Sequence, residues 1–230
     1  MMRVSWISPL GGDVIKAIAL VCLADGIVGI SYGSMATAVG FPLWVPMTLS
    51  LLVLAGASEF LFISIVAGGG SPFAAAAAGL LVNARHLPFG MAVKDLIDSE
   101  DAARQGLAYR LLGCHIMNDE SVVFGVSQKS PAKSRAAYWL CGLGIVVCWP
   151  LGVLIGGTLG TMIPDIKVIG LDAVFPAILV ALTASALKHR QTLRRALTGM
   201  ALSLAAVPLV PAGLPVLFSL FGLALWRRHK

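Results

Sequence analysis

Residues 80–93 read LLVNARHLPFGMAV, and the rest of the chain has to accommodate this stretch. Asn83, Arg85 and His86 sit inside an apolar run and are followed at once by Pro88 and Gly90. A charged or hydrogen-bonding side chain is expensive in hydrocarbon, and its usual explanation there is function. Proline and glycine also weaken a helix where these polar groups cluster. Freed backbone groups at membrane depth are tolerated only against protein or a water-filled cavity. The stretch therefore reads as the lining of a polar site inside a membrane protein.

The bulk composition agrees, with 58% hydrophobic residues, 12% charged residues and a mean hydropathy of +0.89. A soluble domain carries about twice that charged fraction. The expected fold is all-α, a polytopic integral membrane helical protein in which residues 1–230 form a single transmembrane domain. The net charge of +6 reads as basic cytoplasmic loops. Nucleic acid is excluded as a partner because aromatic and basic residues are not interleaved. Four cysteines, Cys22, Cys114, Cys141 and Cys148, show no CxxC spacing and read as small apolar packing residues. No metal and no cofactor are expected.

Segment 14–39 is apolar but carries Asp25, Gly26, Gly29, Ser31, Gly33 and Ser34. Ala36-Thr37-Ala38 resembles a signal-peptidase site, yet Asp25 and the glycines spoil the apolar region that such a peptide needs. The segment is expected to be an interrupted or closely packed membrane helix, with Asp25 facing other helices or a cavity. Segment 43–66 is long enough to span, and holds Ser58 and Glu59 beside the small residues Ala55, Gly56 and Ala57. Gly68-Gly69-Gly70-Ser71-Pro72 is a tight turn whose proline opens the next helix, 73–94.

Residues 95–135 are the one substantially polar segment, with an amphipathic helix whose first turn holds Glu100 and Asp101. Asp119 and Glu120 follow it, and read either as a helix cap or as functional carboxylates. Spans are expected at 136–161 and 168–187, the second carrying Asp172 near its start. The last apolar run, 196–226, is broken by Pro208, Pro211, Gly213 and Pro215 and is expected to be interrupted. Positive-inside reasoning puts the loop at 94–135, the basic cluster at 188–195 and the C-terminus in the cytoplasm. The N-terminus falls outside if 14–39 crosses once, and inside if that segment is a broken pair.

Four motifs occur in order: Ala55-Gly56-Ala57-Ser58 before Phe60, Asn83-Ala84-Arg85-His86-Leu87-Pro88-Phe89-Gly90, Asp119-Glu120, and Gly170-Leu171-Asp172-Ala173-Val174-Phe175-Pro176-Ala177. Together they resemble the AzlC family of branched-chain amino acid permeases, the large subunits of bacterial exporters. The resemblance runs from about Lys16 to about Arg195. It implies a multi-pass protein of the bacterial inner membrane. It further implies export of leucine, isoleucine, valine and sometimes methionine, together with a small AzlD-type membrane subunit. Position 59 is usually glutamine in that family, and here it is Glu59.

Moving a zwitterionic amino acid requires partners for both its charges. Arg85 offers the carboxylate a rigid fork of donors, and Asp25, Glu59 or Asp172 can face the ammonium. Helix N-termini at breaks near Gly26, Pro88 or Pro211 can assist. Histidine is the side chain suited to proton carriage, and His86 with Glu59 is expected to form one buried cluster that couples protons to substrate. The opposing reading of Arg85 and His86 is that they reach out to the interface from a helix end. Substrate-binding or coupling residues are thus expected at Asp25, Ser58, Glu59, Asn83, Arg85, His86, Asp119, Glu120 and Asp172. The competing classes are a membrane-embedded enzyme and a non-transporting assembly subunit. No H-E-x-x-H, G-x-S-x-G or P-loop pattern appears, so the chain is expected not to be an enzyme.

Overall fold

The computed structural model describes residues 7, 9–97, 100–162, 180, 184, 187–210 and 214–222. Among them there is no strand. The helices are α1 (Gly12–Ala38), α2 (Trp44–Leu52), α3 (Gly56–Ala67), α4 (Pro72–Asn83), α5 (His86–Ile97), α6 (Glu100–His115), α7 (Asp119–Val126), α8 (Pro131–Met162), α9 (Arg190–Ala206) and α10 (Pro215–Phe218). The chain divides into two compact units, one drawn from Met1–Gly56 and Ala84–Val168, the other from Ala57–Asn83 and Ile169–Lys230. Two described helices, α1 and α8, are long and apolar enough to cross a bilayer, and α3 and α4 are apolar but shorter.

The first unit is built on the seam between α1 and α8. Gly26, Gly29 and Gly33 on α1 and Gly152, Gly156, Gly157 and Gly160 on α8 line the seam, small residues that let two backbones approach. A Cβ at Gly29 would lie 2.7 Å from the Trp149 carbonyl oxygen, and one at Gly33 would collide with the Val153 carbonyl. Ser34 Oγ donates to the Gly156 carbonyl at 2.8 Å and Thr37 Oγ1 to the Gly157 carbonyl at 3.1 Å, tying the helices across the seam. Tyr32 stacks on Trp149 at 5.8 Å. These contacts correct the expectation that the first membrane segment is interrupted. Residues 12–38 form one helix, with its glycines used for close packing rather than for a break. The helix ends where Gly40 takes a φ of +98°, with its N–H bonded to the Thr37 carbonyl and that of Phe41 to the Ala36 carbonyl.

A second core lies where α5, α7 and α8 meet around Val93, Ile97, Ile116, Val122, Tyr138 and Trp139. Tyr138 Oη donates to the Gly113 carbonyl at 2.6 Å and Trp139 Nε1 to the Leu96 carbonyl at 3.3 Å. The polar segment 95–135 is therefore mostly helical and packed on α8, which starts at Pro131 rather than 136. Its amphipathic helix is α6, divided at Gly106, where φ is +82°.

In the second unit, Ile65 of α3 packs on Ala75 and Ala78 of α4, with Leu61, Phe62 and Val66 alongside. The turn joining them is the one the sequence specifies. Gly69 has a φ of +84°, Gly70 donates to the Ile65 carbonyl at 2.9 Å, and Ser71 Oγ accepts from the Ala74 N–H at 3.1 Å ahead of Pro72.

Two expected single spans are each two helices. Segment 43–66 breaks between α2 and α3, where Leu54 adopts a φ of +50°. A left-handed leucine costs about 1–2 kcal/mol, and burial of its side chain to 4% exposure offsets that cost. Segment 73–94 breaks at Ala84 and Arg85. The cause is Pro88, because a proline ring in a continuous helix strikes the carbonyl four residues back, here that of Ala84. Restarting at His86 places Pro88 in a first turn, where its missing N–H costs nothing. The last segment is interrupted as expected, since α9 ends at Ala206 before α10 begins at Pro215. The expected span 168–187 and the break at Pro211 lie outside the described residues.

Candidate functional site

The break between α4 and α5 leaves Arg85 off both helices, at the mouth of α5. Across from it, residues 118–121 start α7 with a reciprocal cap. Asn118 Oδ1 accepts from the Ser121 N–H at 2.8 Å, and Ser121 Oγ accepts from the Asn118 N–H at 3.0 Å. The cap fixes the direction of α7 and presents Asp119 and Glu120 in its first turn, where the helix dipole favours negative charge. Arg85 Nη2 meets Asp119 Oδ2 at 2.9 Å. Their side chains are 32% and 40% exposed, so water screens the pair and it contributes only about 0–1 kcal/mol. Such a pair is cheap to open when a ligand competes for either partner.

Two further carboxylates interact electrostatically with members of this pair. Glu120 and Asp119 both lie close enough to Asp25 of α1 to act on it electrostatically. The Oδ2 atom of Asp25 is buried and has no hydrogen-bond partner among the described residues. Burial pushes the Glu120 carboxyl above the usual carboxylate range, and Asp119 raises it further, against its own backbone N–H and Arg85. Arg85 Nε and Asn118 Nδ2 are likewise buried without a partner among the described residues. The first unit thus assembles one cation, three carboxylates and two open donors from α1, the α4–α5 break and the start of α7. Both charges of a zwitterion find complements there. His86, at the start of α5, packs edge-on against Phe89 at 5.8 Å.

The second unit holds a separate polar group. Asn83 Nδ2 at the end of α4 donates to Ser58 Oγ of α3 at 2.9 Å, and Ser58 is buried. Gly79 faces Ser58, where an added Cβ would lie 3.6 Å from the serine Cβ. Glu59, next in the chain, is 1% exposed in the first turn of α3.

Of the nine residues the sequence points to, Asp25, Arg85, Asp119 and Glu120 come together in the first unit, and Ser58 and Asn83 in the second. Glu59 and His86 belong to different units. Asp172 lies outside the described residues. No helix break occurs at Gly26, which instead faces the Cys148 carbonyl within α1's seam with α8. Among the described residues no group of three His, Cys, Asp or Glu side chains is placed to hold a metal ion. Sequence reasoning passed over Asn118, although Asn118-x-x-Ser121 is itself a capping pattern that signals a fixed, buried amide.

The chain is 28% identical over 198 residues to the branched-chain amino acid transport protein AzlC of Bacillus subtilis, a match covering 82% of this chain and 75% of that protein. It is 25% identical over 138 residues to an uncharacterized membrane protein of Haemophilus influenzae, covering 59% of this chain and 54% of that one. No solved structure matches the chain. The family model described as AzlC protein matches residues 20–163, more than half of the chain. That span contains Asp25, Arg85, Asp119 and Glu120, and the chain belongs to the AzlC family.

Proposed function

We propose that this protein carries branched-chain amino acids out of the cell across the bacterial inner membrane, as the large subunit of a transporter completed by a small AzlD-type membrane protein. The observation that carries this reading is the Arg85–Asp119 pair with Asp25 and Glu120 beside it, held in an apolar helical scaffold. Family membership supplies the substrate class, through the branched-chain transport named for the Bacillus subtilis relative. Arg85 exchanges Asp119 for the substrate carboxylate, and its planar fork is suited to that exchange. Asp25 and Glu120 receive the ammonium, with Asp172 a further candidate. The apolar outer faces, such as Leu20, Leu23 and Ile27 on α1 and Leu151 and Ile155 on α8, suit a lipid surround. In this reading residues 1–230 act as a single transport domain, and α1 crosses once, which places the N-terminus outside. The 94–135 loop, the basic 188–195 cluster and the C-terminus lie in the cytoplasm. Glu59 and His86 carry the coupling protons.

The test is accumulation of radiolabelled leucine in inverted membrane vesicles, with and without the partner subunit. Accumulation that needs both chains, and that falls at least tenfold in Arg85→Lys, is expected, since a point charge replaces a bidentate fork. An enzyme would consume leucine without accumulating it, and either that result or full activity in Arg85→Lys overturns the reading.

A further inference from the structure

We infer that Asn118 is a specificity-determining residue of this transporter, its side-chain amide donating to the carboxylate of the bound amino acid beside Arg85. This inference rests on the amino acid transport reading above and deepens it. Asn118 is only 6% exposed, so its amide is almost wholly removed from water. Its Oδ1 is committed to the Ser121 N–H at 2.8 Å, and the return bond from its own N–H to Ser121 Oγ at 3.0 Å holds the residue in place. Ser121 Oγ is in turn anchored on the Ile116 carbonyl at 2.9 Å. The amide therefore cannot turn over, and Nδ2 is directed off the backbone that Oδ1 caps. That nitrogen has no acceptor among the described residues. A buried donor left unsatisfied is costly and uncommon.

The surroundings say what kind of acceptor completes it. The next residue in the chain, Asp119, holds Arg85 at 2.9 Å, and the Nε of that arginine is a second buried donor without a partner. Two open donors, one of them cationic, at the N-terminus of an eight-residue helix fit a carboxylate. Asp119 and Glu120 open α7 and both act electrostatically on Asp25, so the region repels an anion that brings no positive charge. The combination selects a carboxylate that carries an ammonium beside it, the α-amino acid zwitterion, over a simple carboxylic acid. Asn118 is the member of the set that distinguishes the carboxylate end without adding charge.

The experiment is displacement of radiolabelled leucine, from the protein purified together with its small partner subunit, by unlabelled leucine and by 3-methylbutylamine, which is leucine without its carboxylate. Asn118→Ser is the variant, because serine caps a helix as well as asparagine and removes only the amide donor. Leucine affinity is expected to fall about ten- to a hundredfold, the range for a hydrogen bond to a charged group, with 3-methylbutylamine displacement changed less than about threefold. Equal loss for both compounds, or no loss for either, overturns the inference and leaves Asn118 as a cap. A wild-type complex of this chain with its partner subunit that binds neither compound overturns the transport reading, and this inference with it. Asn118→Asp, which keeps the cap and replaces the donor by a charged acceptor, serves if the serine variant does not fold. It is expected to abolish leucine binding, and retained binding overturns the inference.

Discussion

Gly152→Ala is the sharpest perturbation of the frame that carries Asp25. A Cβ at position 152 would run into the Gly26 carbonyl of α1, with the carbonyl carbon at 2.9 Å and the Ile30 nitrogen at 3.1 Å. These are backbone atoms, so no rotamer change relieves the contact. Carbon atoms rest at about 3.5–4.0 Å, and the two helices must part by roughly 0.5–1 Å. Overpacking of this kind costs about 1–3 kcal/mol. The Ser34 and Thr37 bonds further along the seam, 2.8 and 3.1 Å long, stretch as the helices separate. Inter-helix side-chain bonds in membranes average about 0.6 kcal/mol each. Against this, alanine gains about 1 kcal/mol over glycine in helix propensity. The net loss is about 1–3 kcal/mol, which lowers the melting temperature of a chain this size by roughly 3–10 °C. Thermal unfolding of the purified protein in detergent measures it. Gly12→Ala is the control, since its Cβ meets nothing within 4 Å and the variant should melt at or slightly above wild type. A Gly152→Ala protein as stable as wild type, or a Gly12→Ala protein that falls as far, refutes the packing argument.

Two titrating positions give further expectations. Burial raises the Glu120 carboxyl in the folded protein, so the fold favours its protonated form and its contribution is fully present below the unfolded value. Stability then declines as pH rises from the ordinary carboxylate range through the raised folded value. Glu120→Gln should remove that slope while leaving acid-side stability unchanged, read from melting temperatures across pH, and an unaltered slope would assign the decline to another group. Glu59, 1% exposed, is the proposed proton carrier in the second unit. Glu59→Gln keeps its shape and should flatten the pH dependence of leucine export while sparing leucine binding, whereas an unchanged export profile removes Glu59 from coupling.

Where the sequence marks chemistry with unusual residues, the structure follows it closely. The turn at Gly69 and Pro72 and the interruption after Ala206 are both carried by glycine or proline, whose backbone limits act locally. Of the three misread spans, the first two in the chain fail for opposite reasons. At Leu54 nothing in the local sequence signals a break, because the left-handed leucine is sustained by burial, a tertiary effect. In α1 the sequence overstates one. Gly26, Gly29 and Gly33 look like helix breakers until α8 supplies a second row of glycines to meet them. A single helix pattern cannot distinguish a glycine that ends a helix from one that admits a neighbour.

The site was legible as a set of residues but not as a geometry, and the reason lies in how its parts are presented. Arg85 escapes helical structure where Pro88 disfavours a continuous helix past Ala84, so the proline that disrupts the span also exposes the arginine. Asp119 reaches it because the Asn118–Ser121 cap starts α7 at that point, so the residues that end the preceding turn also aim the carboxylate. Arg85 and Asp119 thus each sit within three residues of the device that interrupts regular structure. The two devices lie more than twenty-five residues apart in the chain, and only the packing of α5 and α7 on α8 brings them to one place. It follows that substitutions which restore helix continuity should damage the site more than substitutions at its rim. Pro88→Ala, which lets α4 and α5 fuse, would draw Arg85 into a helix and away from Asp119.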